Sequence, residues 1–299
     1  MKAKHLLAIV AIALLATSCG TVPVTGRQQL NLVSDAEVLQ SGLSAYSSFM
    51  KTATISSEKT QSEQVTRVGQ KIAAATEKYL TENGLAADVK NYAWEFNLVK
   101  DDQVNAFCMP GGKIVVYEGL MKLVSCDDDL AVVLGHEVAH AVAKHSNERL
   151  SQQMLAEYGG QALSVLTSGK SYSTQQIAQT VYGLGANYAV VLPFSRKHES
   201  EADYIGLVLM SMAGYNPDYA LNFWQKMSTS GGNKNVPEFM STHPSDATRI
   251  ADIQKNLPAV KSKFYVAPAT TTTQTTSAKT TGKTTSKSNK SNKSSKKKK

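Results

Sequence analysis

The most informative stretch of the chain is residues 127–150, which read DDDLAVVLGHEVAHAVAKHSNERL. Three consecutive acids, Asp127 to Asp129, open this stretch, and negative side chains are favoured at the positive end of a helix dipole. The pattern predicts one helix from these acids to about Leu150. His136 and His140 are four residues apart, so this helix presents both imidazole rings on one face, one turn apart.

Two imidazole rings at this spacing can bind one Zn²⁺ ion at roughly 2.0–2.1 Å each. Glu137 does not share their coordination face, but it can reach a water beside the metal, as the glutamate of His-Glu-x-x-His hydrolases does. The neighbouring Leu134 and Val138 are apolar, so the helix should be buried, and buried polar groups need partners. We predict one zinc ion per chain, with His136 and His140 as ligands and Glu137 as the catalytic base.

A catalytic zinc site needs a third protein ligand, and the best candidate lies in residues 195–206, SRKHESEADYIG. On a helix, Glu199 and Asp203 share a face. We predict Glu199 as the third ligand and Asp203 as the hydrogen-bond acceptor for the free ring nitrogen of a ligand histidine. Glu201, two positions from either acid, is the alternative ligand.

Two further histidines lie near these motifs. The metzincin extension would need glycine and histidine three and six residues after the second ligand, and the chain has alanine and serine there. His145 is therefore predicted to be a polar residue on the helix surface. His243 precedes a proline, with Arg249 on the following helix. His243 is either a residue that contacts the zinc or the developing oxyanion, or a turn residue without a chemical role.

The rest of the pattern predicts an α+β fold that is mainly helical, with a small antiparallel sheet. Helices are expected over 34–51, where Ser34 and Glu37 can form a capping box, and over 62–82. Strands are predicted at residues 92–98, 104–109 and 113–117, with a turn at Pro110-Gly111-Gly112. Beyond residue 127 helices prevail to about Asn256, and Ser195 is expected to begin the helix that ends before Gly214.

The N-terminus differs in composition from the domain that follows. Residues 1–18 combine a basic start, an apolar run and small residues, a pattern typical of a secretory signal peptide. Cys19 follows as in a bacterial lipobox, although Leu15 stands one place earlier than usual. We expect an acylated Cys19, a lipidated linker over 19–29, and a lipid-anchored protein in the cell envelope, on the periplasmic side of the outer membrane. Ordinary cleavage beside an incidental cysteine is the alternative.

The C-terminus is equally distinct. Residues 267–299 are rich in Thr, Ser and Lys and are predicted to be disordered. Without the nine lysines of this tail the chain has 23 basic and 24 acidic residues. The basic charge therefore gives no indication of a nucleic-acid partner. The tail is either a solubilising segment or an attachment to anionic lipid or cell-wall polymer.

Two features between the motifs complete the pattern. Residues 151–192 are rich in Gln, Ser, Gly and Ala and lie between the two metal-binding helices in sequence. We predict that they form a lid over the cleft. Cys108 and Cys126 are either a disulfide pair, which export would permit, or two buried thiols.

Five stretches together resemble the gluzincin peptidases, a family that includes the CAAX prenyl protease, the mitochondrial inner-membrane protease Oma and bacterial periplasmic lipoprotein proteases. They are GRQQLNLVS (26–34), VNAFCMPGGKIVVYEGL (104–120), LGHEVAH (134–140), SRKHESEADYIG (195–206) and STHPSDATRI (241–250). They occur in family order. The resemblance implies one zincin-like metallopeptidase domain over residues 30–266.

The resemblance also implies an endopeptidase that uses the ligand set and the base named above. It implies that His243 and Arg249 line the active cleft. It also implies that the substrate binds to an edge strand that contains Asn105, Ala106 and Phe107. Edge pairing uses main-chain hydrogen bonds, so sequence preference should be loose. We therefore expect unfolded or misassembled envelope proteins as substrates.

Two departures from the family pattern limit what is implied. The chain shows no spanning helices like those of the multi-span members, so processing of prenylated proteins is not implied. A basic tail follows the core instead of a helical repeat domain, so the partner complexes of some periplasmic members are not implied either. The alternatives are a zinc-containing envelope chaperone or assembly factor with little proteolysis, and an enzyme acting on cell-wall peptides.

Overall fold

The computed structural model describes residues 19–186, 192–230, 239, 241, 243 and 247–267. The expected signal peptide and the tail from residue 268 lie outside these residues. Ten helices occur in the described part: α1 (Asp35–Met50), α2 (Lys59–Glu82), α3 (Ala86–Val89), α4 (Glu118–Met121), α5 (Asp127–Val142), α6 (His145–Thr167), α7 (Tyr172–Ala186), α8 (Leu192–Met212), α9 (Tyr219–Thr229) and α10 (Ala247–Phe264). The mainly helical α+β class is confirmed.

Two small sheets accompany the helices. Strands β1 (Cys19–Thr21) and β2 (Gln28–Leu30) form an antiparallel ribbon. Strands β3 (Glu95–Val99), β4 (Ala106–Met109) and β5 (Lys113–Tyr117) form a second sheet in the order β3–β5–β4. The chain reverses direction twice between β3 and β5, so these two strands run parallel, whereas β4 and β5 are antiparallel. The second sheet is therefore mixed rather than antiparallel throughout, and β4 lies at its edge.

Local signals in the sequence account for several element boundaries. Ser34 Oγ accepts a hydrogen bond from the Glu37 amide at 3.3 Å, and Glu37 Oε2 accepts one from the Ser34 amide at 3.1 Å. This is the predicted capping box at the start of α1. The turn between β4 and β5 needs two left-handed residues, and Gly111 and Gly112 supply them with φ of 90° and 78°. Helix α8 begins at Leu192, so Ser195 lies inside it rather than at its cap.

Helix α5 lies at the centre of the core and crosses α8 at two glycines. Every residue from Asp129 to Ala139 is buried. A Cβ on Gly135 would lie 2.9 Å from the carbonyl oxygen of Gly206, and a Cβ on Gly206 would lie 2.9 Å from the amide nitrogen of His136. Neither position has room for a side chain. This close backbone contact places the histidine face of α5 beside the acidic face of α8.

The helix predicted to run from Asp127 to about Leu150 is interrupted. Helix α5 ends at Val142, and Lys144 adopts a left-handed conformation with φ of 53° before α6 begins. This conformation costs a non-glycine residue roughly 1–2 kcal/mol. Here the Lys144 ammonium lies 2.6 Å from Asp35 and 3.4 Å from Asp88, contacts that offset the cost. The reversal of the chain turns the next residue, His145, back towards α5.

The segment predicted to form a lid is a helical hairpin in its described part. Helices α6 and α7 pack against each other. Ser151 and Gln152 are buried, but none of the residues described between 153 and 183 is. None of them lines the cavity beside His140 either. Within the described part, only the base of the hairpin at Ser151 and Gln152 is buried, and residues 187–191 lie outside that part, so the lid stays a prediction.

The β1–β2 ribbon is folded onto the domain, although residues 19–29 were expected to be a linker. Val22 is 1% exposed and belongs to the main hydrophobic core. Arg27 contacts two buried carboxylates, Glu148 and Glu201. The folded part of the chain therefore starts earlier than residue 30. None of the helices in the described part is both long and apolar enough to cross a membrane.

Candidate metal centre

Helices α5 and α8 bring two imidazole rings and one carboxylate together. His136 Nε2 lies 3.1 Å from His140 Nε2, and Glu199 Oε2 lies 3.3 Å from His136 Nε2. Glu199 Oε1 lies 3.5 Å from His140 Nε2. His243 joins this group, since one donor atom from each of the four residues lies within 4.8 Å of the others. The structure brings the three residues predicted as ligands to one point and adds His243 to them.

The charges of this group suit a divalent cation. Imidazole nitrogen and carboxylate oxygen are both donors that Zn²⁺ accepts. Burial raises the pKa of Glu199, but the hydrogen bond from His136 and the other imidazoles lower it well below its usual value, so the carboxylate is ionised. Burial lowers the pKa of His140 well below its usual value, which leaves the neutral ring that a metal requires. The buried Glu199 carboxylate lies 3.4 Å from Arg249 Nη1, and a cation bound between the imidazoles would be a further positive partner.

Glu137 lies next to this group and keeps one oxygen free. Its side chain is buried, and Oε2 accepts a hydrogen bond from the amide of Cys108 on β4 at 3.1 Å. Among the described residues Oε1 has no hydrogen-bond partner, and His243 Nε2 lies 3.6 Å away. Burial raises the pKa of Glu137, which makes its carboxylate a stronger base than an exposed one. A buried, unpaired carboxylate oxygen at this position suits proton transfer with a bound water.

The ring of His136 is held from behind by a carboxylate and a guanidinium. Its Nδ1–H donates to Asp203 Oδ1 at 3.0 Å, which leaves Nε2 facing the donor group. Arg249 donates to both Asp203 oxygens at 2.7 Å and is 3% exposed. Its guanidinium also packs over the ring of Trp224 at 4.8 Å. Arg249 was predicted to line the cleft; it binds Asp203, and its Nη1 also lies 3.4 Å from Glu199 Oε2 in the donor group.

The pKa of His136 reflects the same contacts. Burial lowers it, but the hydrogen bonds to Asp203 and Glu199 raise it to about 9. A metal ion that binds His136 therefore has to displace a proton from the ring at neutral pH. Metal binding to such a ligand releases protons and strengthens as pH rises.

His243 faces the donor group and is fixed by its own segment. Its Nδ1 lies 3.1 Å from Glu199 Oε2 and 3.3 Å from His136 Nε2. Its ring stacks on Phe239 at 4.6 Å, and the Phe239 amide donates to the carbonyl of Val104, just before β4. His243 therefore lies at the donor group, and its chemical role stays a prediction.

The edge strand contacts Glu137, the predicted base, through its backbone. Of the predicted edge residues, Ala106 and Phe107 begin β4, which extends to Met109, and Asn105 immediately precedes it. The carbonyl of Asn105 accepts from the amide of Tyr117 on β5, and the amide of Cys108 points the other way, to Glu137. Backbone groups of this segment thus point to β5 on one side and to the site on the other, the pattern of a strand at the edge of a sheet.

A cavity adjoins the metal-binding group on the side of His140. Apolar groups and one thiol form most of its described wall: Val38, Leu39, Tyr92, Cys108 and Pro110. Asp35 and Asp88 border it and both contact Lys144, so one negative charge of this group is left uncompensated. The cavity combines an apolar wall with neighbouring charges and opens beside the second imidazole. Cys108 and Cys126 are both free and half-buried in the structure, which shows neither a disulfide nor two fully buried thiols.

For a second set of buried polar residues, the sequence predicted positions or roles that differ from those in the structure. His145 was expected on the helix surface, yet its ring is buried, with Nδ1 2.9 Å from His140 Nδ1. Glu201, the alternative metal ligand, lies outside the donor group and accepts from His145 Nε2 at 3.1 Å. Burial lowers the pKa of His145 to about 4, so this ring is neutral at pH 7. The break at Lys144 decides this arrangement, and the helical period of the sequence gave no sign of it.

Comparison with known proteins agrees with this geometry. The profile of peptidase family M48 matches residues 59–257, which contain both metal-binding helices. The chain belongs to peptidase family M48. Zinc is the metal of M48 peptidases, and the buried His-His-Glu-His group of this M48 chain fits it.

Individual relatives within the M48 family agree with this assignment. The chain is similar to the mitochondrial metalloendopeptidase OMA1 of Schizosaccharomyces pombe, with 40% identity over 57% of this chain and 48% of the relative. Similarity to human metalloendopeptidase OMA1 is 28% identity over 79% of this chain and 45% of the relative. Similarity to the beta-barrel assembly-enhancing protease of Yersinia pestis is 30% identity over 56% of this chain and 35% of the relative. The matched region thus spans half or less of each of these relatives.

Proposed function

We propose that this M48 chain is a zinc-dependent endopeptidase that hydrolyses peptide bonds in unfolded or misassembled proteins of the cell envelope. The observation that carries the proposal is the environment of Glu137. Its carboxylate is buried, one oxygen accepts a hydrogen bond from the edge strand, and the other has no hydrogen-bond partner among the described residues. His136, His140 and Glu199 are the proposed zinc ligands. The names of the relatives, two of them metalloendopeptidases, support the same activity.

In the proposed mechanism Glu137 moves the proton. A zinc ion in this position supplies Lewis-acid activation of both a water and the scissile carbonyl. Glu137 Oε1 accepts the proton of the attacking water, while the hydrogen bond from the Cys108 amide keeps Oε2 in place. Glu137 then gives the proton to the leaving amine. The raised pKa of Glu137, caused first by burial, favours both steps near neutral pH.

His243 has a separate role in the proposal. Four protein ligands leave a tetrahedral zinc site without an open position, and a catalytic site needs one. His243 has a donor atom within the same group as the three proposed ligands. We propose that His243 closes the site at rest and moves aside when a substrate enters.

The proposed substrate is an extended chain that pairs with the outer edge of β4 beside the Cys108 amide, which is itself bonded to Glu137. This pairing depends on main-chain atoms and accepts many sequences, while a side-chain pocket adds a preference. The cavity beside His140 has an apolar wall, so we expect it to take apolar side chains. Such side chains are accessible in unfolded proteins and hidden in folded ones.

The proposed location follows from the N-terminal sequence. The apolar run before Cys19 and the position of that cysteine support export and acylation. A relative named beta-barrel assembly-enhancing protease supports outer-membrane β-barrel proteins as a substrate class. Acylation is tested by mass spectrometry of the N-terminal peptide from membranes, compared with the peptide of a Cys19→Ala variant. An unmodified peptide with Cys19 in it would contradict the lipid anchor.

The proposed activity is tested with purified protein, casein and an unfolded outer-membrane β-barrel protein. Glu137→Gln keeps the shape of the side chain but removes the base, so we expect bound zinc and a loss of cleavage of at least about a hundredfold. Glu82→Gln, at the exposed end of α2, is the matched control and should leave cleavage unchanged. Cleavage by the Glu137→Gln protein at the wild-type rate would contradict the mechanism. A cell with this variant that handles envelope proteins like the wild type would favour the chaperone alternative.

A further inference from the structure

A chain of buried contacts connects the N-terminal ribbon with the metal centre. Arg27 follows the turn of the ribbon, and its side chain is 13% exposed. Two of its nitrogens donate to Glu148 at 2.8 and 2.7 Å, and its Nε donates to Glu201 Oε2 at 2.8 Å. Thr25 on the same ribbon donates to Glu201 Oε1 at 2.6 Å. The ribbon thus fixes both oxygens of Glu201.

Glu201 passes this restraint on to a ligand of the proposed zinc site. Its Oε2 accepts from His145 Nε2 at 3.1 Å, so the other ring nitrogen of His145 is an acceptor when the ring is neutral. That nitrogen, Nδ1, lies 2.9 Å from His140 Nδ1. His140 therefore donates from Nδ1 and keeps a lone pair on Nε2, the atom that faces the donor group.

The two histidine ligands are supported in parallel ways. His136 is bound by Asp203, and Arg249 holds that carboxylate from α10. His140 is supported in the same way, except that the ring of His145 lies between it and the supporting carboxylate. The guanidinium that holds this carboxylate belongs to Arg27, at the opposite end of the chain. Partners that orient a ligand imidazole in this way raise metal affinity.

We propose that Arg27 is a positioning residue of the metal centre, which is incomplete without the N-terminal ribbon. Arg27 fixes Glu201, Glu201 fixes the tautomer of His145, and His145 fixes the tautomer and ring orientation of His140. The inference rests on the proposed zinc site, but it does not depend on peptidase activity. If Arg27 had a merely structural role, its removal would change folding stability and leave the metal affinity of the folded protein unchanged. Stability alone does not test the proposal, because a buried ion pair need not stabilise a fold.

The experiment measures zinc affinity in the full-length protein by competition with a chromophoric chelator, without a substrate. Arg27→Ala should weaken zinc binding about 10- to 100-fold, the usual effect of losing an outer partner of a ligand. Arg27→Lys keeps one cation without the bidentate geometry, so it should recover part of the loss. The control is Arg67→Ala, which removes an exposed pair with Asp127 at the far end of α5 and should leave the affinity unchanged.

Cobalt substitution gives a second readout. The visible absorption of bound Co²⁺ reports the geometry of its ligands, so Arg27→Ala should change this spectrum while Arg67→Ala does not. Zinc affinity within twofold of wild type together with an unchanged Co²⁺ spectrum in folded Arg27→Ala would overturn the proposal. If that variant does not fold, Glu201→Gln decides instead, because it breaks the same chain and should give the same loss. Failure of cleavage with normal zinc binding would count against the proposed function and leave this inference intact.

Discussion

Gly135 and Gly206 are in backbone contact where α5 crosses α8. A Cβ on either glycine would approach backbone atoms of the other helix to 2.9 Å. His136 and Glu199 belong to these two helices, so the separation of the helices fixes the distance between the proposed ligands. Neither glycine can be replaced by a larger residue without movement of the backbone.

A methyl group at this crossing should disturb both stability and metal binding. Gly206→Ala is expected to reduce the free energy of unfolding by about 1–3 kcal/mol, the usual cost of overpacking a core. It should also weaken zinc binding, since the ligands move apart. Gly183→Ala is the matched control: no atom of the described residues lies within 4 Å of its added Cβ, so it should be neutral or stabilising. Chemical denaturation and chelator competition measure both effects, and an unchanged Gly206→Ala protein would refute the argument from the crossing.

The charge on Asp203 should matter more than its shape. Asp203→Asn keeps the size of the side chain but presents an amide to His136 and Arg249, so a charge-assisted contact is lost. We expect zinc affinity to fall about 10- to 100-fold. Asp127→Asn, at the half-buried start of α5 and paired with Arg67 rather than with a histidine, is the comparison and should change little. Equal zinc affinities for the two variants would contradict the support assigned to Asp203.

Removal of the fourth donor distinguishes two roles of His243. If this ring closes the site at rest, His243→Ala should retain zinc on the other three residues and raise kcat/KM severalfold on unfolded protein. The physical reason is that an open coordination position is needed for catalysis. If the ring instead stabilises the oxyanion, the same variant should lose about 10²- to 10³-fold in kcat. A fall of that size with zinc retained would exclude the resting-state role.

The carboxylates bound to Arg27 predict a loss of stability in acid. Burial raises the pKa of Glu148, but the hydrogen bonds from His198 and Arg27 lower it to about 2. Burial likewise raises the pKa of Glu201, and the bonds from His145 and Arg27 lower it to about 2. Since both values are below the unfolded value of roughly 4.3, this stabilisation is present above pH 4.3 and is lost as pH falls towards 2.

Urea unfolding of chelator-treated protein between pH 6 and pH 2 measures this effect without a contribution from zinc. The free energy of unfolding of the wild type should fall over the acid part of this range. Glu148→Gln cannot be protonated, so its unfolding free energy should depend less on pH there. Identical pH dependence in the two proteins would mean that Glu148 carries no linked proton.

Much of the fold follows from local sequence patterns. The capping box at Ser34 and the left-handed glycines after β4 produced the expected boundaries, because a cap or a turn depends only on residues close in sequence. Strand β5 was predicted residue for residue. The pairing of the strands was not predicted. The alternation of side chains along each strand does not show that β5 pairs with both β3 and β4, with β4 at the edge.

The break at Lys144 shows where local patterns fail. The residues around it favour helix, and the left-handed turn exists because two acids from distant parts of the chain, Asp35 and Asp88, hold the lysine side chain. Without that turn His145 would lie on a helix surface, as predicted. With it, His145 contacts His140 and connects the centre to the ribbon.

The sequence by itself determined the chemistry of the centre: the two histidines one turn apart, the glutamate between them and an acidic helix able to complete the set. These features depend on helical periodicity, which is a local property of the backbone. Only the tertiary structure decided which acid approaches the rings, that His243 joins them, and that Arg249 and Arg27 hold the supporting carboxylates from opposite ends of the chain. Contacts between residues so far apart depend on how the helices pack, and packing is set by the whole core at once.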